Sequence, residues 1–258
     1  MRFSGCTAVI TGGGQGIGAA VARALAHEGA AVVVAARTAE KIESVADEIR
    51  RKGGQAWALP CDVTDRASVY GMATAAAREA GPIDILVNNA GMAQSAPLQK
   101  IALEDWNRLL AVNATGTFLC TQAFVTSMLA RKRGAIVNVV SVAGLSGARY
   151  IAAYTAAKHA VMGFTRSVAA ELEGTGVTCG AVCPGYVDTE MTQASIARVA
   201  AQTGKSPDAS LAAMLATAGQ QRLIAAEEVA DAVLSLANLK GKRPNGAEVI
   251  ITGARERS

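Results

Sequence analysis

The amino-acid sequence predicts an α/β protein built on a doubly wound, mostly parallel, seven-stranded sheet with helices on both faces. Three observations lead to this prediction. Short apolar runs enriched in β-branched residues recur along all 258 residues. Several of these runs are apolar at successive positions, as expected for strands that are buried on both faces of a sheet. Between them lie stretches with an apolar residue at every third or fourth position, which is the period of an amphipathic helix.

Seven strands and a set of intervening helices are predicted. The strands cover residues 6–11, 30–36, 55–60, 83–88, 135–141, 177–183 and 247–252. The helices are a first one that ends at Gly29, a second one that ends before Gly53, and further ones over 103–131, 152–173 and 227–239. Residues 190–223 have weak periodicity, so they form either a mobile substrate lid or two surface helices. The connections are short, which predicts a single domain over residues 1–258.

Composition and charge argue against several functional classes. Hydrophobic residues make up 51% of the chain and charged residues 18%, so it is too apolar for a disordered protein. The formal charge of +4 is small, and we expect no nucleic-acid partner. The apolar runs are shorter than a membrane helix requires, so we expect no membrane contact. The five cysteines lack metal-type spacing, which predicts reduced thiols, no metal and a cytoplasmic location.

A glycine-rich segment joins the first strand to the first helix. Residues 12–18 read Gly-Gly-Gly-Gln-Gly-Ile-Gly. Glycines allow a tight turn and a close approach of the backbone to a pyrophosphate, while the helix N-terminus offers amide donors and a favourable dipole. A glycine cluster can also mark an ordinary turn, but its position between a strand and a helix is the context that dinucleotide binding requires. We therefore expect a Rossmann-type fold.

The residue after the second strand bears on the choice between NAD and NADP. A fold that prefers NAD usually carries an acidic residue there, which binds the ribose 2′-hydroxyl. This chain has Arg37 at that point, and the first acidic residue is Glu40. Because a guanidinium attracts a 2′-phosphate, the sequence favours NADP(H). If Arg37 is an ordinary solvated side chain, NAD(H) is the alternative.

Further motifs follow the ends of later strands, where open parallel sheets bind ligands. They are Asp62-Val63, Asn88-Asn89-Ala90-Gly91, Ser141, Tyr154-x-x-x-Lys158 and Pro184-Gly185-Tyr186-Val187-Asp188-Thr189. Together with the glycine-rich segment, this ordered set closely resembles the short-chain dehydrogenase/reductase family over essentially the whole chain. Each motif alone is weak, but the complete set in this order is specific.

The resemblance implies a role for each matching position. With Arg37, inferred above from its charge, and Gln15 of the glycine-rich segment, the cofactor-binding residues would be Gly12, Gly16, Ile17, Gly18, Asp62, Val63, Asn89, Ala90, Gly91, Tyr154, Lys158, Pro184, Gly185, Val187 and Thr189. The catalytic residues would be Asn113, Ser141, Tyr154 and Lys158. Position 15 departs from the pattern, because NADP-preferring members commonly carry a basic residue where this chain has Gln15. This departure leaves Arg37 as the main candidate for binding the 2′-phosphate.

The chemistry of ketone reduction explains why these residue types would serve. Hydride transfer to a ketone builds negative charge on oxygen, which needs a proton donor and hydrogen bonds. Tyr154 and Lys158 are four residues apart and hence on one helical face, so we expect the ammonium to lower the pKa of the phenol. Ser141 can donate a second hydrogen bond to the substrate oxygen. Asn113 can hold a water that links Lys158 to solvent.

The residues around the catalytic group bear on the identity of the substrate. The candidate substrate residues are Gln94, Ser141, Arg149, Tyr154 and Tyr186. Small and apolar neighbours such as Ala143 and Met191 favour a hydrophobic or thioester-linked ketone over a small charged acid. The stretch 154–185 is also similar to 3-oxoacyl-thioester reductases and aromatic polyketide ketoreductases. The leading hypothesis is therefore an NADP(H)-dependent oxidoreductase that interconverts a 3-oxoacyl thioester, or a related hydrophobic ketone, and its secondary alcohol.

Alternative functions stay open at this point. The enzyme could instead oxidise a hydroxysteroid, a cyclic alcohol or a polyol with NAD. Outside enzymes, the chain could be a dinucleotide-sensing binding protein, although a sensor has no chemical need for four catalytic-type residues. The substrate could arrive on an acyl-carrier protein or on coenzyme A, whose phosphate Arg149 could meet. By resemblance, we expect a homotetramer formed through the two long helices and the last strand.

Overall fold

The computed structural model describes residues 1–239 and 245–253, and the strands in this part of the chain form one seven-stranded sheet. They are β1 (Thr7–Thr11), β2 (Ala31–Ala36), β3 (Ala56–Pro60), β4 (Ile85–Asn88), β5 (Gly134–Val139), β6 (Val177–Pro184) and β7 (Glu248–Ile251). Their order is β3-β2-β1-β4-β5-β6-β7, and the neighbouring strands pair in parallel. The predicted fold class is therefore confirmed, and the strand bounds agree with the prediction to within two residues.

The helices of the described residues cover both faces of this sheet. They are α1 (Gly16–His27), α2 (Ala39–Arg51), α3 (Arg66–Ala80), α4 (Leu103–Leu110), α5 (Gly116–Arg131), α6 (Ala152–Glu171), α7 (Glu190–Thr203), α8 (Pro207–Thr217) and α9 (Ala226–Ala237). The helix predicted over 103–131 consists of α4 and α5, joined by the π-helical turn Ala111–Thr115. Helix α3 was not predicted. It begins after Asp65, whose carboxylate accepts hydrogen bonds from the backbone N–H groups of Ala67 and Ser68 at 3.0 and 3.3 Å.

Alternate residues of the strands point into two hydrophobic layers. On one face, Ile10 of β1 belongs to a cluster with Leu25 of α1 and Val233 of α9. On the other face, Val9 of β1 belongs to a cluster with Phe124 of α5. Because helices cover both faces, β1 and β4 are buried at every position, which explains the apolar runs over residues 8–10 and 85–87.

The segment 190–223 contains helices α7 and α8, so the alternative of two helices describes its secondary structure. Thr189 caps α7, since its hydroxyl accepts a hydrogen bond from the backbone N–H of Thr192 at 3.4 Å. Val187 before the segment and Ile224 after it form an isolated parallel bridge. The two ends of the segment therefore lie next to each other. That the segment moves as a lid stays a prediction.

One helical stretch of the described residues, Leu103–Arg131, is long and apolar enough to cross a membrane by length and composition alone. The core helix of a globular protein meets the same criterion. Here 44% of the most apolar window is buried, and α5 packs against β4, β5 and α3. The apolar side chains of this stretch contribute to the core in this way.

Asp84 links three elements at one end of the sheet. It lies just before β4 and is 5% exposed. Its Oδ1 accepts hydrogen bonds from Nη1 of Arg131 at 2.7 Å and from Nε of Arg133 at 3.1 Å. Its Oδ2 accepts a hydrogen bond from the backbone N–H of Thr7 at 3.2 Å. A nearly buried carboxylate is stable there because each of these donors is present.

We expect Asp84→Ala to lower the free energy of unfolding by about 2 to 3 kcal/mol, because the two guanidinium groups and the Thr7 amide lose a charged acceptor. Urea denaturation at neutral pH measures this. The matched control is Glu79→Ala, which removes an acid from an exposed pair with Arg78 and should cost less than about 0.5 kcal/mol. Equal losses for the two variants would contradict the role given to Asp84.

Candidate active site

The glycine-rich segment forms the turn between β1 and α1, at the carboxyl edge of the sheet. Gly12 and Gly16 have φ angles of +64° and +51°, a region that L side chains rarely adopt. A Cβ on Gly12 would lie 2.8 Å from Cα of Ala90, so the close approach to the chain after β4 also requires glycine. Helix α1 begins at Gly16, and its unpaired amide donors therefore lie at this turn. The turn fits a pyrophosphate for these reasons.

Thr11 and Asn89 hold the glycine turn against the end of β4. The Thr11 hydroxyl accepts hydrogen bonds from the backbone N–H groups of Asn89 and Ala90, each at 3.1 Å. The side-chain amide of Asn89 donates to the carbonyl oxygens of Thr11 and Gly12 at 3.0 and 3.1 Å. The predicted cofactor residues 89–91 thus lie beside the turn, between the two strands where the strand order reverses.

Arg37 and Asp62 follow β2 and β3 at the same edge. Arg37 is exposed, and within the described residues its side chain makes no hydrogen bond or ion pair. The pKa of Asp62 is lowered, chiefly because its Oδ1 accepts hydrogen bonds from the backbone N–H and the hydroxyl of Thr64 at 2.9 and 2.8 Å, and also by the charge of Arg37. The neighbouring Val63 is 8% exposed. This end of the site therefore combines a free guanidinium with a carboxylate that stays ionised.

Ser141, Tyr154 and Lys158 come together between the end of β5 and the start of α6. The Ser141 hydroxyl accepts a hydrogen bond from the backbone N–H of Ala143 at 3.1 Å, and its side chain is hydrogen-bonded to Tyr154. The ammonium of Lys158 lies 5.8 Å from the centroid of the Tyr154 ring. It donates a hydrogen bond to the carbonyl oxygen of Val139 at 3.0 Å. An ammonium has three N–H donors, and this is the one hydrogen bond that Lys158 makes within residues 1–239 and 245–253, so two donors are left for other acceptors there.

Burial shifts the pKa values of Tyr154 and Lys158 in opposite directions. Lys158 is 6% exposed, and burial lowers its pKa to about 8. Burial raises the pKa of Tyr154 to about 12, although the hydrogen bond with Ser141 acts in the opposite direction. The spacing of Tyr154 and Lys158 predicts a lowered pKa for Tyr154, but desolvation of the phenolate raises it instead. At neutral pH, Tyr154 is therefore a neutral phenol and Lys158 is mostly charged.

Asn113 lies in the π-helical turn and anchors the chain that follows β4. Its side-chain amide donates to the carbonyl oxygens of Met92 and Leu109 at 3.0 and 2.9 Å, and its Oδ1 accepts from the backbone N–H of Met92 at 3.3 Å. A Cβ on Gly91 would lie 2.9 Å from this Oδ1 and 3.7 Å from Nζ of Lys158. Asn113 thus fixes the backbone next to the ammonium of Lys158.

A buried polar chain beneath the site is a feature that sequence reasoning missed. Asn88 donates hydrogen bonds to Oγ1 of Thr121 at 3.0 Å and to Oδ1 of Asn138 at 2.9 Å. Asn138 in turn donates to the hydroxyl of Thr165 at 2.8 Å. These contacts join β4, β5, α5 and α6, so they fix the helix that carries Lys158 against β5. The available signal was the presence of asparagine in two otherwise apolar strands, because buried polar side chains are normally paired.

Four of the predicted cofactor residues lie at the end of β6 and on the loop between β6 and α7. They are Pro184, Gly185, Val187 and Thr189. Gln220, which is 5% exposed, holds this loop, since its amide accepts from the backbone N–H of Tyr186 at 2.9 Å and donates to the Tyr186 carbonyl at 2.7 Å. A Cβ on Gly16 would lie 3.1 Å from Cγ2 of Thr189, so the start of α7 lies over the glycine turn. No sequence pattern pointed to Gln220, because it is distant along the chain from the motif that it contacts.

The predicted substrate residues are partly engaged with other side chains. Nε2 of Gln94 donates to Oδ2 of Asp105 at 2.6 Å, and Oε1 of Gln94 accepts from Arg108 at 3.2 Å. The guanidinium of Arg149 lies 5.5 Å from the centroid of the Tyr150 ring. Gln94, Asp105 and Tyr150 line a shallow cleft beside the site. Gln94 is therefore oriented by two charged neighbours.

Together these segments fit a nicotinamide dinucleotide, with a glycine turn at one end, a polar group of Ser141, Tyr154 and Lys158 at the other, and the 89–91 backbone between them. Within residues 1–239 and 245–253, no group of three or more His, Cys, Asp or Glu side chains is arranged to hold a metal ion.

Comparison with known proteins places this site in a family. The short chain dehydrogenase family model matches residues 6–200. The D-threitol dehydrogenase of Mycolicibacterium smegmatis is 38% identical over 252 residues, which cover 98% of this chain and 93% of that protein. A 3-oxoacyl-[acyl-carrier-protein] reductase of Synechocystis sp. is 43% identical over 187 residues, which cover 72% of this chain and 76% of that protein.

A solved structure leads to the same family. A variant of the actinorhodin polyketide ketoreductase with NADPH has a TM-score of 0.91 and 32% sequence identity to this chain, covering 98% of this chain and 97% of that one. The matched family model spans most of the chain, and the fold and motifs described above agree with it. The chain therefore belongs to the short-chain dehydrogenase family and is an NAD(P)-dependent oxidoreductase that acts on CH–OH and C=O groups.

Proposed function

We propose that the protein is an NADP(H)-dependent reductase that converts a 3-oxoacyl thioester, or a related hydrophobic ketone, to its secondary alcohol. One observation supports this most directly: Tyr154 is a neutral phenol at neutral pH and lies beside the ammonium of Lys158. Reduction of a ketone consumes a proton, and a protonated tyrosine at the sheet edge is a suitable donor.

Each part of the dinucleotide has a candidate partner in the chain. The glycine turn and the first amides of α1 would bind the pyrophosphate, and Asp62 with Val63 would flank the adenine. The two N–H donors of Lys158 that bond no other group in the described part of the chain would, together with Tyr154, bind the hydroxyls of the nicotinamide ribose. The end of β6 and the loop after it, residues 184–189, would hold the nicotinamide. The bound cofactor supplies the hydride, while the protein aligns and polarises the reactants.

The side chains at the end of β5 would stabilise the charge that develops on the substrate oxygen. Tyr154 donates its phenolic proton to this oxygen, and Ser141 donates a hydrogen bond to it. The ammonium of Lys158 then stabilises the tyrosinate that forms. Asn113 keeps the adjacent backbone in place through its bonds to Met92. In this scheme Asn113 positions the backbone next to Lys158, whereas Ser141, Tyr154 and Lys158 stabilise the negative charge that develops during the reaction.

The preference for NADP(H) over NAD(H) is proposed on the basis of Arg37. Its guanidinium is exposed and unpaired within the described residues, at the end of β2 where an NAD-preferring fold usually has an acid. A guanidinium can bind a phosphate through two parallel hydrogen bonds. The structure of the related actinorhodin ketoreductase, which contains NADPH, supports this preference.

Exposed apolar side chains near the site support a hydrophobic substrate. Leu98, Tyr150 and Met191 are 76%, 56% and 42% exposed, on the segments that follow β4, precede α6 and begin α7. The first two segments are joined by a hydrogen bond from the backbone N–H of Ala96 to the carbonyl of Tyr150 at 2.8 Å. The relatives named as a 3-oxoacyl-[acyl-carrier-protein] reductase and a polyketide ketoreductase agree with a thioester. Exposed Arg149 would then meet a phosphate of the acyl-carrier prosthetic group or of coenzyme A.

A second candidate function is the NAD-dependent oxidation of a polyol or cyclic alcohol. It is favoured by the D-threitol dehydrogenase, because this relative covers 98% of the chain whereas the Synechocystis reductase covers 72%. The paired Gln94, Asp105 and Arg108 beside the cleft would also suit a substrate rich in hydroxyl groups.

A homotetramer built through α5, α6 and β7 is also part of the proposal. Phe118 of α5 is 42% exposed and packs edge-to-face on Phe164 of α6, with the ring centroids 6.2 Å apart. Ile250 of β7 is 54% exposed. Exposed aromatic and aliphatic side chains of this size are typical of subunit interfaces, and light scattering of the protein in solution tests the assembly.

The substrate and cofactor are tested together in one spectrophotometric panel. We expect acetoacetyl-coenzyme A to be reduced with NADPH, with a kcat/KM at least about tenfold higher than with NADH. The control reactions are the oxidation of polyols and cyclic alcohols with NAD and with NADP. Turnover of these alcohols without turnover of the thioester would favour the second candidate function and contradict the first.

Tyr154→Phe should reduce kcat for the reduction by about a thousandfold, because the proton donor is lost while the shape of the site is kept. The dissociation constant of NADPH, measured by fluorescence titration, should change by less than about threefold. The matched control is Tyr70→Phe on α3, where the hydroxyl bonds only Gln122 among the described residues, and full activity is expected. Retention of more than about a tenth of the wild-type kcat by Tyr154→Phe would refute its role as donor.

The pH dependence should differ between the two directions of the reaction. Reduction uses protonated Tyr154 and charged Lys158, so its kcat/KM should be level at lower pH and fall as the pH rises through about 8, the pKa of Lys158. Oxidation uses the phenolate, and because the pKa of Tyr154 is about 12, its rate should still be rising at the highest pH tested. Initial rates between about pH 6 and about pH 10 measure both. A reduction that becomes faster across this range would contradict the assignment.

A further inference from the structure

A lysine of α2 brings positive charge to the glycine turn. Lys41 lies in the first turn of α2, and its ammonium donates hydrogen bonds to Oε1 of Gln15 and, at 2.9 Å, to Oε2 of Glu190. The side chains of Lys41 and Glu190 are 45% and 66% exposed. Three elements therefore meet at this ammonium: the glycine turn, the start of α2 and the start of α7.

The position of this ammonium matters because Gln15 is uncharged. The ammonium of Lys41, on the neighbouring helix α2, contacts the side chain of Gln15. The backbones are close as well, since the N–H of Gly13 donates to the carbonyl of Ala35 at 3.2 Å, and a Cβ on Gly14 would lie 3.0 Å from Cβ of Lys41. Position 15 thus gains a positive charge that its own residue does not carry.

We infer that Lys41 is a specificity-determining residue for the adenosine 2′-phosphate and acts together with Arg37. This inference rests on the proposed preference for NADP(H). Arg37 precedes the first turn of α2 and Lys41 belongs to it, so the two cations stand at the same end of the helix. That end carries the positive pole of the helix dipole, which adds to the attraction for a phosphate. A cofactor without the 2′-phosphate offers these two cations no charged partner at the 2′ position.

Glu190 opposes this recognition. Its carboxylate forms an ion pair with the ammonium of Lys41 and would repel a phosphate. An exposed ion pair of this kind is weak, whereas a phosphate monoester carries nearly two negative charges at neutral pH. The 2′-phosphate can therefore displace the Glu190 carboxylate from the ammonium of Lys41. Removal of the Glu190 charge should therefore strengthen binding of a 2′-phosphate. An ordinary surface ion pair would not have this consequence.

The chain offers a matched control pair on the same helix. Lys52, just after α2, lies 2.9 Å from Glu48, and the two side chains are 72% and 29% exposed. This pair has the same chemistry as Lys41 and Glu190 but lies at the opposite end of α2 from the glycine turn. Its removal changes the net charge of the protein by the same amount, so it corrects for general electrostatic effects.

The test is isothermal titration calorimetry with adenosine 2′,5′-bisphosphate and adenosine 5′-monophosphate, which differ by the 2′-phosphate alone. Lys41→Met should weaken binding of the bisphosphate about fivefold to tenfold and leave the monophosphate within about twofold. Glu190→Gln should tighten the bisphosphate by about twofold or more. Arg37→Gln should weaken binding of the bisphosphate at least about tenfold. Lys52→Met should leave the dissociation constants of both nucleotides unchanged.

The outcomes separate this inference from the proposed function. If Arg37→Gln weakens the bisphosphate and Lys41→Met does not, the role of Lys41 is refuted while the preference for NADP(H) stands. If the wild-type protein binds both nucleotides equally, the preference for NADP(H) itself fails. Equal weakening of both nucleotides by Lys41→Met would mean that Lys41 supports the glycine turn, and would also refute the inference. If Glu190→Gln binds the bisphosphate more weakly than the wild-type protein does, the proposal that the Glu190 carboxylate weakens recognition of the 2′-phosphate is refuted.

Discussion

The pairing of β1 with β4 determines where every functional segment lies. Two strands separate them along the chain, yet Val9 of β1 is in register with Leu86 of β4. The sheet grows in one direction from β1 and in the other from β4, so the loops after these two strands diverge and open a crevice at the carboxyl edge. The hydrogen bonds between Thr11 and Asn89 close the bottom of this crevice. The glycine turn and the 89–91 segment meet because of this register.

The covering of both sheet faces that stabilises the fold also determines the electrostatics of the site. β5 is buried at every position, so Lys158 must place its ammonium in the protein interior to reach the carbonyl of Val139. Removal from water favours the neutral form of each group, which lowers the pKa of Lys158 and raises that of Tyr154. The four-residue spacing on α6 explains why the two groups are neighbours. Core packing explains why the phenol keeps its proton to a higher pH than a tyrosine in water.

Much of the fold could be predicted from the sequence, because a parallel strand buried on both faces leaves an unbroken apolar run. Helix α3 escaped prediction because the side chains it buries, Val69, Met72 and Ala76, form a narrow apolar stripe. Within the site, Tyr154 and Lys158 could be paired because one helix carries both. The hold of Gln220 on the 184–189 loop could not be predicted, since it joins segments far apart in the chain and depends on how α8 returns to the sheet.

The glycine turn shows a further limit on motif comparison. A motif compares residue types position by position, whereas Coulomb attraction depends on where the charged atom lies. Gln15 supplies no charge to the turn by its own chemistry, but the long side chain of Lys41 carries an ammonium to it from the next helix. The same ammonium also meets Glu190. The attraction of a cofactor phosphate to the glycine turn therefore depends on the glycine turn, α2 and α7 together. Mutations of Lys41 or Glu190 can change the charge next to Gln15 and leave the glycine-rich motif itself intact.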